Sequence, residues 1–131
     1  MNILDTLPID DGFYMPAEYH KHYGCFMIWP HRSDSWQFGG YAARKAFVEI
    51  ASAIAKSEHV TVAVNADNYN NARKALPANI RVVEMSSNDS WARDYAPTFL
   101  IKNTADNSVD NSTKLYASNN NLRGVSWNFN A

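Results

Sequence analysis

The sequence predicts an α/β fold in its first half, with a sheet covered by helices. Three observations predict it. Strand-like apolar runs at Tyr23–Pro30, Val60–Val64 and Ile80–Glu84 alternate with helical segments at about 41–56 and 68–75. The longer helical segment is amphipathic: Ala43, Phe47, Ile50 and Ile54 recur at helical spacing, with Ala46 and Ala53 beside them. Polar clusters with Gly, Asn, Asp and Ser separate the segments.

Residues 1–22 are broken by Pro8, Gly12 and Pro16, so they read as an arm or loop with a short turn at 16–20. YGCFMIWP, 23–30, has the length and aromatic content of a buried strand. The loop HRSDSWQFGG leads into helix 41–56, and VTVAV follows as a short strand. Asp67 suits the N-cap of helix 68–75, which Pro77 ends. A strand at 80–84 precedes the polar loop SSNDSWARDYAP, and TFLIK at 98–102 continues as a strand. Residues 103–122, rich in Asn, Asp and Ser, read as a flexible polar insert, with further short strands expected at 114–117 and 123–129. The last residues are an aromatic strand with no closing helix, which suggests a piece of a longer protein.

At 131 residues the chain is the size of one domain. Its 46% hydrophobic and 19% charged content is that of a globular protein and excludes a disordered one. A net charge of −1 without a basic block argues against nucleic acid or an anionic membrane as a partner. No apolar run has the length of a membrane span, and the acidic N-terminus is unlike a signal peptide. Cys25 is the single cysteine, which rules out an intrachain disulfide or a Cys-based zinc cluster and fits a cytoplasmic protein.

The chemistry concentrates in EMSSNDSWARDYAPT, 84–98, where Asp89, Trp91, Arg93 and Asp94 lie within six residues after a strand. Loops at strand ends often carry active sites. On spacing alone, a surface Arg93–Asp94 ion pair beside a half-buried Trp91 is the better explanation of the cluster.

The whole chain resembles the amino-terminal part of the agmatine deiminases, in the guanidine-modifying superfamily that also holds arginine and peptidylarginine deiminases. The likeness rests on the G-F-x-M-P-x-E opening at 12–18, the W-P-x-R-x-D-x-W segment at 29–36, the N-D-x-W-x-R-D segment at 88–94 and the closing RGVSWNFNA, in that order. It is weakest over 103–122. The resemblance implies a propeller of α/β modules around a central site, of which residues 1–131 form the first module and the start of the second. It implies agmatine hydrolysis to N-carbamoylputrescine and ammonia through a covalent cysteine intermediate, without metal or cofactor. Assembly as a homo-oligomer through the parent protein is open. The nucleophilic cysteine, the acid–base histidine and a second aspartate belong to later modules.

By the same match Asp94 is the catalytic, substrate-binding carboxylate, set on a strand-end loop facing a cleft. A guanidinium is planar, charged and rich in donors, and a carboxylate can grip two of its N–H groups in parallel. Trp91 matches a residue lining the substrate site, where an indole suits a cation. Asp89 and Arg93 read as loop supports. Ala96 stands where the family usually has Gly, and it would strain the loop if that position needed positive φ. A bacterial peptidylarginine-type deiminase is the enzymatic alternative, and a non-catalytic α/β binding module the alternative of another class.

Other candidates read more plainly. Cys25 is expected to be a buried, unreactive strand residue. His20 and His22 form an H-x-H pair without an evident third ligand. Gly39 and Gly40 could hold an anion or simply close a loop. Trp29 and Trp36 could shape a site or pack. Asn111-Ser112-Thr113 has a glycosylation pattern without meaning in a cytoplasmic chain.

Overall fold

The structure is a computed structural model that describes residues 3–102 and 121–126. It divides into two compact units, His22–Tyr95 and the remainder of the chain. The expected strand at 114–117, most of the polar insert, Asn111 and the end of the closing aromatic strand lie outside the described residues.

The unit His22–Tyr95 is the predicted α/β element. Strands β2 (Gly24–Ile28), β3 (His59–Val64) and β4 (Arg81–Glu84) form a parallel sheet in that order. Helix α1 (Tyr41–Ile54) links the first pair and α2 (Tyr69–Ala75) the second. Parallel strands need such crossovers, and two right-handed crossovers advancing in one direction place both helices on one sheet face. The core follows: Val60, Val62 and Val64 cluster with Ala51 of α1, Ala72 of α2, Trp29, Leu76 and Ile80. As the central strand, β3 has buried residues on both faces, Ala63 as well as the three valines.

Several sequence expectations change here. The inward stripe of α1 is not centred on Ile50, which is 48% exposed, but on Ala51, which is fully buried. Val48, Ile54 and Ala55 accompany Ala51. A methyl at the closest point lets the helix approach the sheet, which a periodicity count weighted toward large side chains does not show. Strand β2 is buried only toward its end, at Ile28, and the following Trp29 and Pro30 continue that burial. It lies at the sheet edge, and Phe26 stands half exposed on the face away from the core cluster. Its first residue must be small: a Cβ on Gly24 would lie 2.3 Å from the carbonyl oxygen of His59. Asp67 does not cap α2, because a 3-10 turn, Ala66–Asn68, intervenes and Asn68 takes the cap position without a side-chain bond. The other end of α2 is closed by Arg73, which donates to the carbonyls of Ile80, Leu76 and Pro77 at 2.7, 2.8 and 2.5 Å.

The turn into α1 runs through three consecutive left-handed residues, Phe38, Gly39 and Gly40. Gly39 and Gly40 adopt it without penalty, whereas Phe38 bears about 1–2 kcal/mol of backbone strain with its ring 91% exposed.

The other unit carries an antiparallel sheet ordered β1 (Phe13–Tyr14), β5 (Thr98–Lys102) and β6 (Leu122–Val125). Strand β1 has no sequence signal, since two residues show no alternation. Asp11 and Arg123 pair at 2.6 Å, and the Arg123 guanidinium sits 4.4 Å from the Phe13 ring centroid. The turn expected at 16–20 is present, closed by His20 N–H donating to the Ala17 carbonyl at 2.9 Å.

The register of α1 makes a direct prediction. Ala51→Leu should lower stability to urea by about 1–3 kcal/mol through overpacking, whereas Ile50→Ala should cost less than about 1 kcal/mol. The opposite ranking would place Ile50 in the core.

Candidate active site

In parallel α/β sheets the loops leaving the carboxyl ends of the strands gather at one edge, where ligands bind. Here those loops begin at Trp29 after β2, at Asn65 after β3 and at Met85 after β4. Pairing continues past the formal end of the sheet, with Met85 N–H donating to the Val64 carbonyl at 2.9 Å. The backbone after β3 then turns away into the 3-10 turn, and the Asn65 side chain takes over. Its Oδ1 accepts from Ser87 N–H at 2.9 Å and its Nδ2 donates to the Ser87 carbonyl at 3.2 Å. Nδ2 also lies 3.0 Å from His31 Nε2. All three loops are therefore tied through one carboxamide.

A second tie lies alongside. Arg32 holds Asp34 with two parallel bonds, 2.9 and 2.5 Å, and its Nη1 lies 3.9 Å from Asp89. The bond from Arg32 holds the Asp34 carboxyl down at about 2, and the Asp34 partner pushes the Arg32 guanidinium further up. Asp89 is buried, sits in a bend of the chain and accepts from Ser90 N–H at 2.8 Å.

After that bend the predicted plain loop contains one helical turn, α3 (Ala92–Tyr95). Asp94 and Tyr95 both donate their N–H groups to the Trp91 carbonyl at 3.1 Å. Trp91 and Asp94 are three residues apart on this turn, a spacing that puts side chains on one side. Both are exposed, Trp91 by 59%. Among the described residues the Asp94 carboxylate takes no hydrogen bond or ion pair, so the surface Arg93–Asp94 pair is not formed. Arg93 is exposed and makes interactions of its own. The groove lined by Trp29, Tyr41, Arg44, Lys45, Val48, Asn71 and Ala75 includes neither Trp91 nor Asp94, so the expected cleft at Asp94 is not that one. Ala96 needs no left-handed backbone, because Phe38 is the one non-glycine with positive φ among the described residues.

The remaining candidates resolve into packing. Trp29 is core, and Trp36 packs edge-on against Phe47 with centroids 6.2 Å apart. His22 pairs with Glu58 at 2.6 Å. Cys25 is half-buried rather than fully buried, and burial, with Glu58 nearby, pushes its thiol pKa up. Sequence reasoning missed Asn65 and His31. A single Asn after a strand has no pattern to notice, although His31 and Arg32 stand inside the quoted W-P-x-R-x-D-x-W segment.

A parallel α/β unit with its polar loops tied at the carboxyl edge, Asp94 open on one of them, is of the mixed α/β class, in which ligands commonly bind at that edge. The chain belongs to the Porphyromonas-type peptidyl-arginine deiminase family, which it matches over residues 14–131. It is 48% identical over 132 aligned residues to the agmatine deiminase of Pseudomonas syringae pv. tomato, covering all of this chain and 32% of that protein. It is 47% identical to the agmatine deiminase of Pseudomonas fluorescens over the same share of each. The solved agmatine deiminase of Enterococcus faecalis superimposes with a TM-score of 0.75 at 41% identity, covering 76% of this chain and 27% of that one. The chain thus spans about a third of the length of these relatives.

Two predictions follow from the electrostatics. Cys25 should react slowly with iodoacetamide at pH 7 and faster as pH rises, because a raised pKa leaves little thiolate; rapid stoichiometric labelling at neutral pH would contradict it. The Asp34 carboxyl should titrate at about 2 by NMR, so its pairing contribution is complete above the ordinary value of 3.8 and is lost as pH falls through about 2. Arg32→Ala should return Asp34 toward 3.8; an unmoved titration would show that Arg32 is not the cause.

Proposed function

We propose that the chain is the amino-terminal part of an agmatine deiminase and supplies one substrate carboxylate to its active site. The observation that carries this reading is the open Asp94 carboxylate on α3, beside Trp91 at the carboxyl edge of the parallel sheet. The near-half identity to agmatine deiminases over the whole chain supports the substrate.

In this reading Asp94 accepts two N–H groups of the agmatine guanidinium, which fixes its position and plane, while the Trp91 indole lies against the cation. A cysteine outside this chain attacks the guanidinium carbon. Ammonia leaves, and water then releases N-carbamoylputrescine and frees the thiol. Holding the guanidinium lines up its carbon for attack but breaks no bond, so residues 1–131 alone do not turn over agmatine. Asp89, bonded to Ser90 N–H, and Arg93 support the loop. The wider assembly is a propeller of α/β modules in a cytoplasmic enzyme of putrescine formation. It uses a small-molecule substrate, no metal and no cofactor. No helix of the described residues is long and apolar enough to cross a membrane.

In the full-length protein Asp94→Asn should lower kcat/KM by about a hundredfold or more without unfolding it, because Asn loses the charge and turns a donor toward a donor-only substrate. Trp91→Ala should cost about 1–2 kcal/mol, mainly in substrate binding. Near-normal turnover by a folded Asp94→Asn variant would move the guanidinium site elsewhere.

A further inference from the structure

We propose that Asn65 is a positioning residue for the guanidinium site: its carboxamide locks the root of the loop that carries Trp91 and Asp94 and couples it to His31. This inference rests on the reading of Asp94 as the substrate carboxylate and deepens it.

Asn presents one acceptor and a two-proton donor side by side, so it can pair with both polar groups of a single peptide residue, as a neighbouring strand would. Asn65 does this with Ser87, bonding both its N–H and its carbonyl. The strand pairing that ends with Val64 and Glu84 is thereby extended into the loop by a side chain after the backbones have parted.

These two bonds also fix which end of the amide is which. Rotating it by half a turn would set donor against donor and acceptor against acceptor at Ser87. Nδ2 is therefore the atom facing His31 Nε2 at 3.0 Å, and it donates. The ring must then carry its proton on Nδ1, which lies 3.3 Å from the Trp29 carbonyl. A directional chain runs from Trp29 through His31 and Asn65 to Ser87, joining the loops after β2, β3 and β4.

This chain fixes the root of the loop that leads to Asp94, while Arg93 and Tyr95 beside Asp94 make interactions of their own. Within the loop, short-range bonds join Ser90 to Asp89, Ala92 to Ser90, and Asp94 and Tyr95 to Trp91. Such bonds give the turn its shape but do not locate it on the sheet. The Arg32–Asp89 contact is long, at 3.9 Å, and Arg32 is already engaged with Asp34. Asn65 makes the shorter cross-loop bonds, seven residues before the substrate carboxylate. Displacing a binding group by about 1 Å can cost about a hundredfold in rate.

The test uses the full-length protein and four variants: Asn65→Ala, Asn65→Asp, Asp94→Asn and the double variant Asn65→Ala with Asp94→Asn. Asn65→Asp keeps the size and the acceptor for Ser87 N–H but sets an acceptor against the Ser87 carbonyl and His31 Nε2. Both Asn65 variants should lose about 10- to 100-fold in kcat/KM for agmatine, measured well below their melting temperatures and with wild-type circular dichroism. In the Asp94→Asn background, followed over long incubations, Asn65→Ala should cost less than about twofold more, since the group it positions is already disabled. Unchanged kcat/KM in folded Asn65 variants overturns the inference, as does a full, additive loss in the Asp94→Asn background. If Asn65→Ala does not fold, His31→Ala carries the test. It removes the bond from Asn65 together with that to the Trp29 carbonyl, and an expected loss of about two- to tenfold is set against no change, which overturns it. Normal turnover by Asp94→Asn itself brings down the site reading and this inference together. An impaired Asp94→Asn beside normal Asn65 variants brings down this inference alone.

Discussion

Parallel strands cannot be joined by a tight turn, so each must be followed by a crossover that carries the chain back to the starting end of the sheet. In this protein that requirement organises the whole unit His22–Tyr95. It places α1 and α2 on one face, where small residues such as Ala51 and Ala72 let them approach the valines of β3. It also delivers every outgoing loop to the same edge. Residues far apart in sequence, His31, Asn65 and Ser87, meet there because the register of β2, β3 and β4 brings their ends level.

At that edge Asp34 and Asp89 are already engaged, whereas Asp94 takes no side-chain bond or ion pair among the described residues. Arg32 and Asp34 show the bidentate guanidinium–carboxylate pairing within the chain itself. Their mutual hold keeps Asp34 ionised far into acid. Asp89 is buried and engaged by Ser90 N–H. Asp94 has the same chemistry with no partner among the described residues, and the proposed reading gives it the substrate guanidinium.

The strand–helix alternation was legible in the sequence because β3 and α1 have strong period and length signals, and because Pro77 and the glycines punctuate them. What escaped had no local signature. Strand β1 is two residues long and exists only through its pairing with β5. The true inward face of α1 turns on an alanine, which apolar counting undervalues. The helix start expected at Asp67 shifted because the chain first makes a 3-10 turn after Asn65. In the candidate site, the clustered residues 89–94 stood out by density, and the family resemblance singled out Asp94 and Trp91 among them. Asn65 and His31 did not stand out, because their role comes from tertiary pairing across a large gap in sequence, which a reading along the chain cannot register.

A crystal structure of the full-length protein with agmatine bound, its nucleophilic cysteine replaced so that the substrate persists, would locate the guanidinium directly. Both Asp94 carboxylate oxygens are expected within about 3 Å of two guanidinium nitrogens, with the Trp91 indole against the cation and Asn65 still paired to Ser87. A guanidinium bound elsewhere, with Asp94 facing only solvent, would contradict this placement.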